Sequence, residues 1–207
     1  YYLHEPIESA PDPLPPPNLQ VDHITFGCFN NAAKIGPDII RIWAQVLKMV
    51  PNSRFYLKYN NIYAETETRQ RYIDWFTKEG VESERLEFHT TTDFRDAHLR
   101  HYGKVDIALD TFPFTGSTTT FESLWMGVPV VTLAGEKMIS RWSASMLTRV
   151  GLADLVAETS QDYVRIAAEL AHDIGRLQRI RAELRDIVRT SPLCDSRRRT
   201  RHLERAY

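Results

Sequence analysis

From Gly116 to Glu122 the chain reads Gly-Ser-Thr-Thr-Thr-Phe-Glu, directly after the apolar run Val105 to Leu109 and a polar turn. The first amides of a helix have no intrahelical acceptor, and the helix dipole favours negative charge there, so a helix opening on this run is a ready anion site. Gly116 keeps the turn small, and Ser117, Thr118 and Thr119 bring amides and hydroxyls. Glu122 follows about one helical turn later, where a carboxylate accepts hydrogen bonds from the vicinal hydroxyls of a sugar. A diphosphate at the helix tip with a ribose at the carboxylate describes a nucleotide. Ser and Thr are also preferred N-caps, so an ordinary capped helix has the same composition.

Other side chains suit the same ligand. Lys34 closes Asn30-Asn31-Ala32-Ala33-Lys34, where its point charge could meet a phosphate and the Asn31 amide could donate. A loop lysine in water is the ordinary alternative. His98 and His101, spaced i, i+3, could share a helix face and contact a base, or both could be structural. His89 has nothing to single it out, and Arg141 is a further candidate for phosphate. The chain has no G-x-G-x-x-G, no G-x-x-x-x-G-K-[ST] and no G-x-S-x-G. It has no D-x-D to hold a divalent ion against a diphosphate, and only two cysteines, Cys28 and Cys194. No metal or other cofactor is expected, so protein donors must neutralise the phosphates.

The elements that must position these groups are legible from periodicity. Residues 1–20 hold most of the prolines and read as an extended linker or arm; residues 21–207 read as one α/β domain. Strands are expected at 24–29, 54–59, 85–88, 105–109 and 128–132, alternating with helices at about 37–50, 65–78 and 96–101 and after the Gly116 turn. Helices at 140–150, 161–173 and 175–188 and one past Pro192 complete the chain. Five parallel strands with helices on both faces make a Rossmann-like sheet, and ligands of such sheets bind beyond the carboxyl ends of the strands. Loops 30–36, 89–93, 110–122 and 134–141 should therefore converge.

The 207 residues carry a formal net charge of -1, which suggests no polyanion partner and no nucleic acid. Arginines crowd the end from Arg176, where solvated helix faces or contact with another domain are expected. No run is long and apolar enough for a membrane span and no signal peptide opens the chain, so a cytoplasmic, reducing compartment is the expectation. The start at Tyr1 suggests a chain that begins partway through a longer protein.

The run Glu122 to Val131 resembles the donor-binding segment of two-domain GT-B glycosyltransferases. Four segments, 26–35, 116–120, 135–145 and 191–193, are similar in order and spacing to the protein O-linked N-acetylglucosamine transferase family, which includes bacterial members with tetratricopeptide repeats. The human-type family motif has His-Thr-Thr where Ser117-Thr118-Thr119 stands and Asp where Glu122 stands. The resemblance implies the C-terminal half of a GT-B fold, with UDP bound here: uracil near His98, ribose at Glu122, diphosphate at Asn31, Lys34, Thr118 and Thr119. It implies inverting, metal-independent transfer from a UDP-sugar, UDP-N-acetylglucosamine foremost, to Ser or Thr of a polypeptide, with Lys34 stabilising the departing UDP. It also implies an N-terminal catalytic domain and repeats outside this chain. A nucleotide-binding module without catalysis, or another GT-B enzyme such as a UDP-sugar epimerase, are the alternatives.

Overall fold

The computed structural model describes residues 3–90 and 95–205. Parallel strands covered by helices on both faces need continuous apolar runs rather than alternation. The chain supplies them: β1 (Thr25–Cys28) and β4 (Ile107–Leu109) are buried throughout, and β2 (Arg54–Lys58) and β5 (Val130–Leu133) at all but one position. β3 (Leu86–His89) and β6 (Val156–Ala157) form the edges of a parallel sheet of order β3-β2-β1-β4-β5-β6. The Rossmann-like sheet is as expected, but it has six strands rather than five. β6 is two residues long after the 3₁₀ turn Ala153–Leu155, too short for a hydrophobic pattern to announce it.

The chain winds from β1 outward to β3, then returns to pair β4 with the other side of β1 and winds outward again. That reversal leaves a crevice beyond the carboxyl ends of β1 and β4, the position where open α/β sheets take their ligands. Loops 29–36 and 110–117 flank it.

Helices hold the strands in place. α1 (Pro37–Met49) opens with Pro37 at a position that needs no N–H, and buries Ile39, Ile40, Trp43, Ala44, Val46 and Leu47. α2 (Thr66–Lys78), α3 (Arg95–Arg100), α4 (Thr118–Trp125), α5 (Trp142–Arg149), α6 (Ser160–His172), α7 (Ile174–Thr190) and α8 (Ser196–Glu204) follow close to the expected places. In the loop expected at 89–93, residues 91–93 lie outside the described residues. Trp43 Nε1 donates to the Tyr163 hydroxyl at 3.1 Å, and that hydroxyl donates to the Asp110 carbonyl at 2.9 Å, tying α1 and α6 to the end of β4. Among the described residues no helix is long and apolar enough to cross a membrane.

The proline-rich arm lies along the body. The His4 amide donates to the Leu193 carbonyl at 2.9 Å, the His4 ring stacks on Phe121 of α4 at 4.0 Å, and the Asn18 amide donates to Asp106 Oδ1 at 3.1 Å.

The arginine-rich end departs from expectation in one respect. Arg181 and Arg185 turn inward, because the C-terminal end of α4 is buried and its carbonyls lack intrahelical donors. Arg181, 4% exposed, donates to the carbonyls of Tyr102, Val105 and Met126, while Arg185 Nε donates to the Trp125 carbonyl at 2.7 Å. Gly127 ends α4 at φ 75, a left-handed conformation, and a Cβ there would lie 2.8 Å from the Arg181 carbonyl oxygen. Arg181→Ala removes three hydrogen bonds to carbonyls, of which that of Tyr102 also accepts from the Val105 amide at 3.3 Å, and should lower stability by about 3 kcal/mol, at about 1 kcal/mol per bond. Urea denaturation against wild type measures it, and a loss below about 1 kcal/mol would contradict the role.

Candidate active site

The site is built on Asp110, which follows β4 and is 2% exposed. Its Oδ1 accepts from Asn30 Nδ2 at 3.1 Å, the Thr111 amide at 2.9 Å and the Gly116 amide at 2.8 Å; its Oδ2 accepts from Thr132 Oγ1 at 2.7 Å. Burial pushes this carboxyl above the usual carboxylate range, and the bonds it accepts oppose the shift. One side chain thereby joins the loop after β1, the turn before α4 and strand β5. Gly116 is required in that turn, since a Cβ would lie 2.2 Å from Thr120 Oγ1 and 3.2 Å from Asp110 Oδ1.

Asn30 passes the order on. Its Oδ1 accepts from Thr119 Oγ1 at 3.0 Å and from Lys34 Nζ at 3.4 Å, and Lys34 Nζ also donates to the Thr115 carbonyl at 3.0 Å. The Lys34 ammonium sits over the Phe114 ring, 3.9 Å from its centroid. Burial draws this amine below the usual lysine range, against the pull of the Asp110 charge. The Ser117 hydroxyl does not cap α4, so the first-turn amides lack the N-cap acceptor that a Ser or Thr there usually supplies. Thr118 is exposed beside them. On the far side, Thr120 Oγ1 lies 2.8 Å from Ser143 Oγ, which donates to the Gly116 carbonyl at 3.1 Å, so α5 braces the same turn.

Glu122, 7% exposed, faces α3. Its Oε2 lies 3.2 Å from His98 Nε2 and accepts from the Tyr102 hydroxyl at 3.3 Å. His98 Nδ1 in turn lies 2.8 Å from Lys58 Nζ. His101 is held apart from this pair: its Nδ1 meets the Tyr56 hydroxyl at 2.5 Å, and burial, helped by nearby cationic groups, lowers its pKa to about 4. It is therefore neutral near pH 7 and is tied to Tyr56 rather than to Glu122, a structural histidine. His89 stacks on Tyr56 at 4.0 Å.

The structure thus brings Lys34, Gly116, Thr119, Glu122 and His98 to one crevice. Asn31 lies at its edge, exposed, with its Oδ1 accepting from the Ala33 amide at 2.9 Å, so its NH2 group is the part that faces outward. Arg141 is placed apart from the Lys34 network. It donates to the Gly135 carbonyl at 3.0 Å and lines a groove of about 1250 Å³ between the loop after β5, α5 and the start of α8. That groove adjoins the turn before α4 through Thr115, whose amide and hydroxyl both donate to the Ile139 carbonyl, at 3.1 Å and 2.9 Å. Asn30, Lys58, Tyr102 and the organising role of Asp110 were not legible. A carboxylate that closes a strand-like run, as Asp110 does after Ile107-Ala108-Leu109, is the one signal that marked any of them. Among the described residues no group of three His, Cys, Asp or Glu is placed to hold a metal ion.

Comparison with known proteins gives the arrangement a context. A model of the family described as Glycosyl transferase family 41 matches residues 17–203. The chain is 41% identical over 207 residues to a Hordeum vulgare protein named "Probable UDP-N-acetylglucosamine--peptide N-acetylglucosaminyltransferase SPINDLY", covering 100% of this chain and 22% of that protein. It is 33% identical over 190 residues to the Arabidopsis thaliana protein of the same description named SEC, covering 91% of this chain and 19% of that one. A solved structure of a Thermobaculum terrenum O-GlcNAc transferase variant superposes with a TM-score of 0.88 at 37% identity, over 98% of this chain and 38% of the other. The sheet and its helices therefore match the C-terminal half of a GT-B fold, and the chain spans about a fifth of the length of the curated relatives.

The hub can be tested without a ligand. Asp110→Ala leaves three buried N–H donors unpaired, each costing about 1–3 kcal/mol, so a loss of more than about 3 kcal/mol is expected in urea denaturation. Asp110→Asn keeps one acceptor oxygen for those donors and turns its NH2 toward the Thr132 hydroxyl, which can accept, so a smaller loss is expected. Equal losses in the two variants would contradict the hydrogen-bond account.

Proposed function

The chain belongs to glycosyl transferase family 41, and on that premise we propose that it is the donor-binding half of an inverting, metal-independent protein O-glycosyltransferase that uses UDP-N-acetylglucosamine. The observation that carries this reading is the convergence at one crevice of an uncapped helix start, a half-buried lysine and a carboxylate paired with a histidine. An anion fits the helix start and the lysine, a pair of ribose hydroxyls fits the carboxylate, and a base fits the place beside the histidine.

In this reading the diphosphate lies on the first-turn amides of α4 and the hydroxyls of Thr118 and Thr119. Lys34 leaves the Thr115 carbonyl for a phosphate oxygen. Its present partners are neutral oxygens, and a bond to an ionised phosphate is roughly twice as strong, so the exchange is favourable. The ribose hydroxyls donate to Glu122, and the base lies beside His98. The acceptor hydroxyl of a Ser or Thr attacks the anomeric carbon from the face opposite the phosphate; the bond to UDP breaks, the hydroxyl proton is released to the leaving diphosphate or to solvent, and Lys34 with the α4 amides stabilises the charge left on the leaving diphosphate. No cofactor takes part, because protein donors meet the phosphate charge. The opposing wall of the cleft, the acceptor site for the polypeptide and the tetratricopeptide repeats belong to sequence outside this chain.

Calorimetric titration with UDP tests the residues. Lys34→Ala and Glu122→Ala should each weaken UDP binding by about tenfold or more, the equivalent of one hydrogen bond to a charged group. Unchanged affinity in both would remove them from the site. A panel of UDP- and GDP-sugars given to the full-length protein with candidate peptides, read by mass shift, tests the donor. Peptide labelling from UDP-N-acetylglucosamine is expected. Labelling only from another nucleotide sugar would overturn the donor assignment, and an altered sugar nucleotide without labelled peptide would overturn the transferase.

A further inference from the structure

Lys58, the last residue of β2, is 1% exposed, an unusual place for a lysine, whose charge is costly to bury without partners. Among the described residues no carboxylate pairs with it directly. Its amine instead lies 2.8 Å from His98 Nδ1, and the opposite ring nitrogen, Nε2, lies 3.2 Å from Glu122 Oε2. Lysine, histidine and carboxylate form a line running from the buried end of β2 to the crevice. We propose that Lys58 is a positioning residue of the donor site: its ammonium holds His98 in the Nε2–H tautomer and, through that ring, orients the Glu122 carboxylate. This rests on the nucleotide reading of the crevice.

The chemistry of the three groups dictates the tautomer. An ammonium only donates, so His98 Nδ1 must be the bare, accepting nitrogen. The ring proton then sits on Nε2, where it donates to Glu122 Oε2. The other tautomer would point N–H at ammonium N–H on one side and a lone pair at a carboxylate on the other. The Tyr102 hydroxyl lies 3.3 Å from the same Oε2 and equally 3.3 Å from the Thr119 carbonyl, so its one proton is shared between them, and neither His98 nor Tyr102 takes Oε1. Phe29 and Tyr102 hold the ring itself by edge contacts, with centroids at 6.2 Å and 5.7 Å. The lysine charge is balanced at one remove: burial draws its amine below the usual lysine range and the Glu122 charge opposes that. A neutral imidazole conducting one hydrogen bond to another is the arrangement that fixes histidine tautomers in other buried networks.

The test is ¹⁵N NMR of the chain labelled at its histidine nitrogens, with His98 assigned by the signals lost in His98→Gln. In the wild type near neutral pH, Nε2 is expected to carry the proton and Nδ1 to be bare. In Lys58→Met the two nitrogens should move toward tautomer-averaged shifts, and UDP affinity should fall by roughly tenfold, the effect of one bond to a charged group. A proton on Nδ1 in the wild type overturns the proposal, and that measurement needs no variant to fold. An unaltered tautomer and unaltered UDP affinity in folded Lys58→Met overturn it as well. Failure of the wild type to bind UDP is a separate outcome: it overturns the donor reading, while the nitrogen shifts still decide whether Lys58 sets the ring.

Discussion

The buried carboxylate of Asp110 is the constraint on which the rest of the structure depends. An ionised carboxylate taken out of water loses several kcal/mol unless its acceptor positions are filled. Here they are filled by Asn30, Thr111, Gly116 and Thr132, which come from either side of the sheet's switch point. The loop after β1 and the turn before α4 cannot move independently, because each spends a donor on the same side chain. Asp110 also draws on the Gly116 amide, just before α4, so the turn that leads into the helix is fixed by the same side chain.

The two charged side chains of the crevice are held in different ways. Lys34 rests on the Thr115 carbonyl, the Asn30 side-chain oxygen and the face of Phe114. All three are neutral partners, so the ammonium is held in place with no carboxylate among them and can exchange onto a more strongly bonding anion. Glu122 is treated differently. Its donors, His98 and Tyr102, are fixed by packing and by Lys58, so the carboxylate is set in orientation. In the proposed reading, a fixed carboxylate meets the ribose and a cation free to exchange its neutral partners meets the phosphate on which charge develops.

Much of this was legible in the sequence, and the reason is geometric. Apolar runs in parallel sheets are long enough to read, and once five strands are placed, the rule that ligands sit beyond their carboxyl ends gathers Lys34, Thr119, Glu122 and His98 from distant segments. What escaped depends on contacts between elements. Nothing in the 54–59 run singles out Lys58, because its partner His98 comes from α3, 40 residues later. Nothing singles out Asn30 beside Asn31, yet Asn30 is the buried one that joins Asp110, Thr119 and Lys34. Arg181 and Arg185 read as part of a solvated charge run, because nothing in the spacing tells that the end of α4 is buried and short of donors. β6 was missed for want of length alone.

The most direct measurement is a crystal structure of the chain with UDP bound. The expected result is a diphosphate on the first-turn amides of α4, Lys34 Nζ moved from the Thr115 carbonyl onto a phosphate oxygen, the ribose hydroxyls on Glu122, and the bonds to Asp110 unaltered. A diphosphate seated instead in the groove beside Arg141 and Trp142, with Lys34 still on Thr115, would contradict the account.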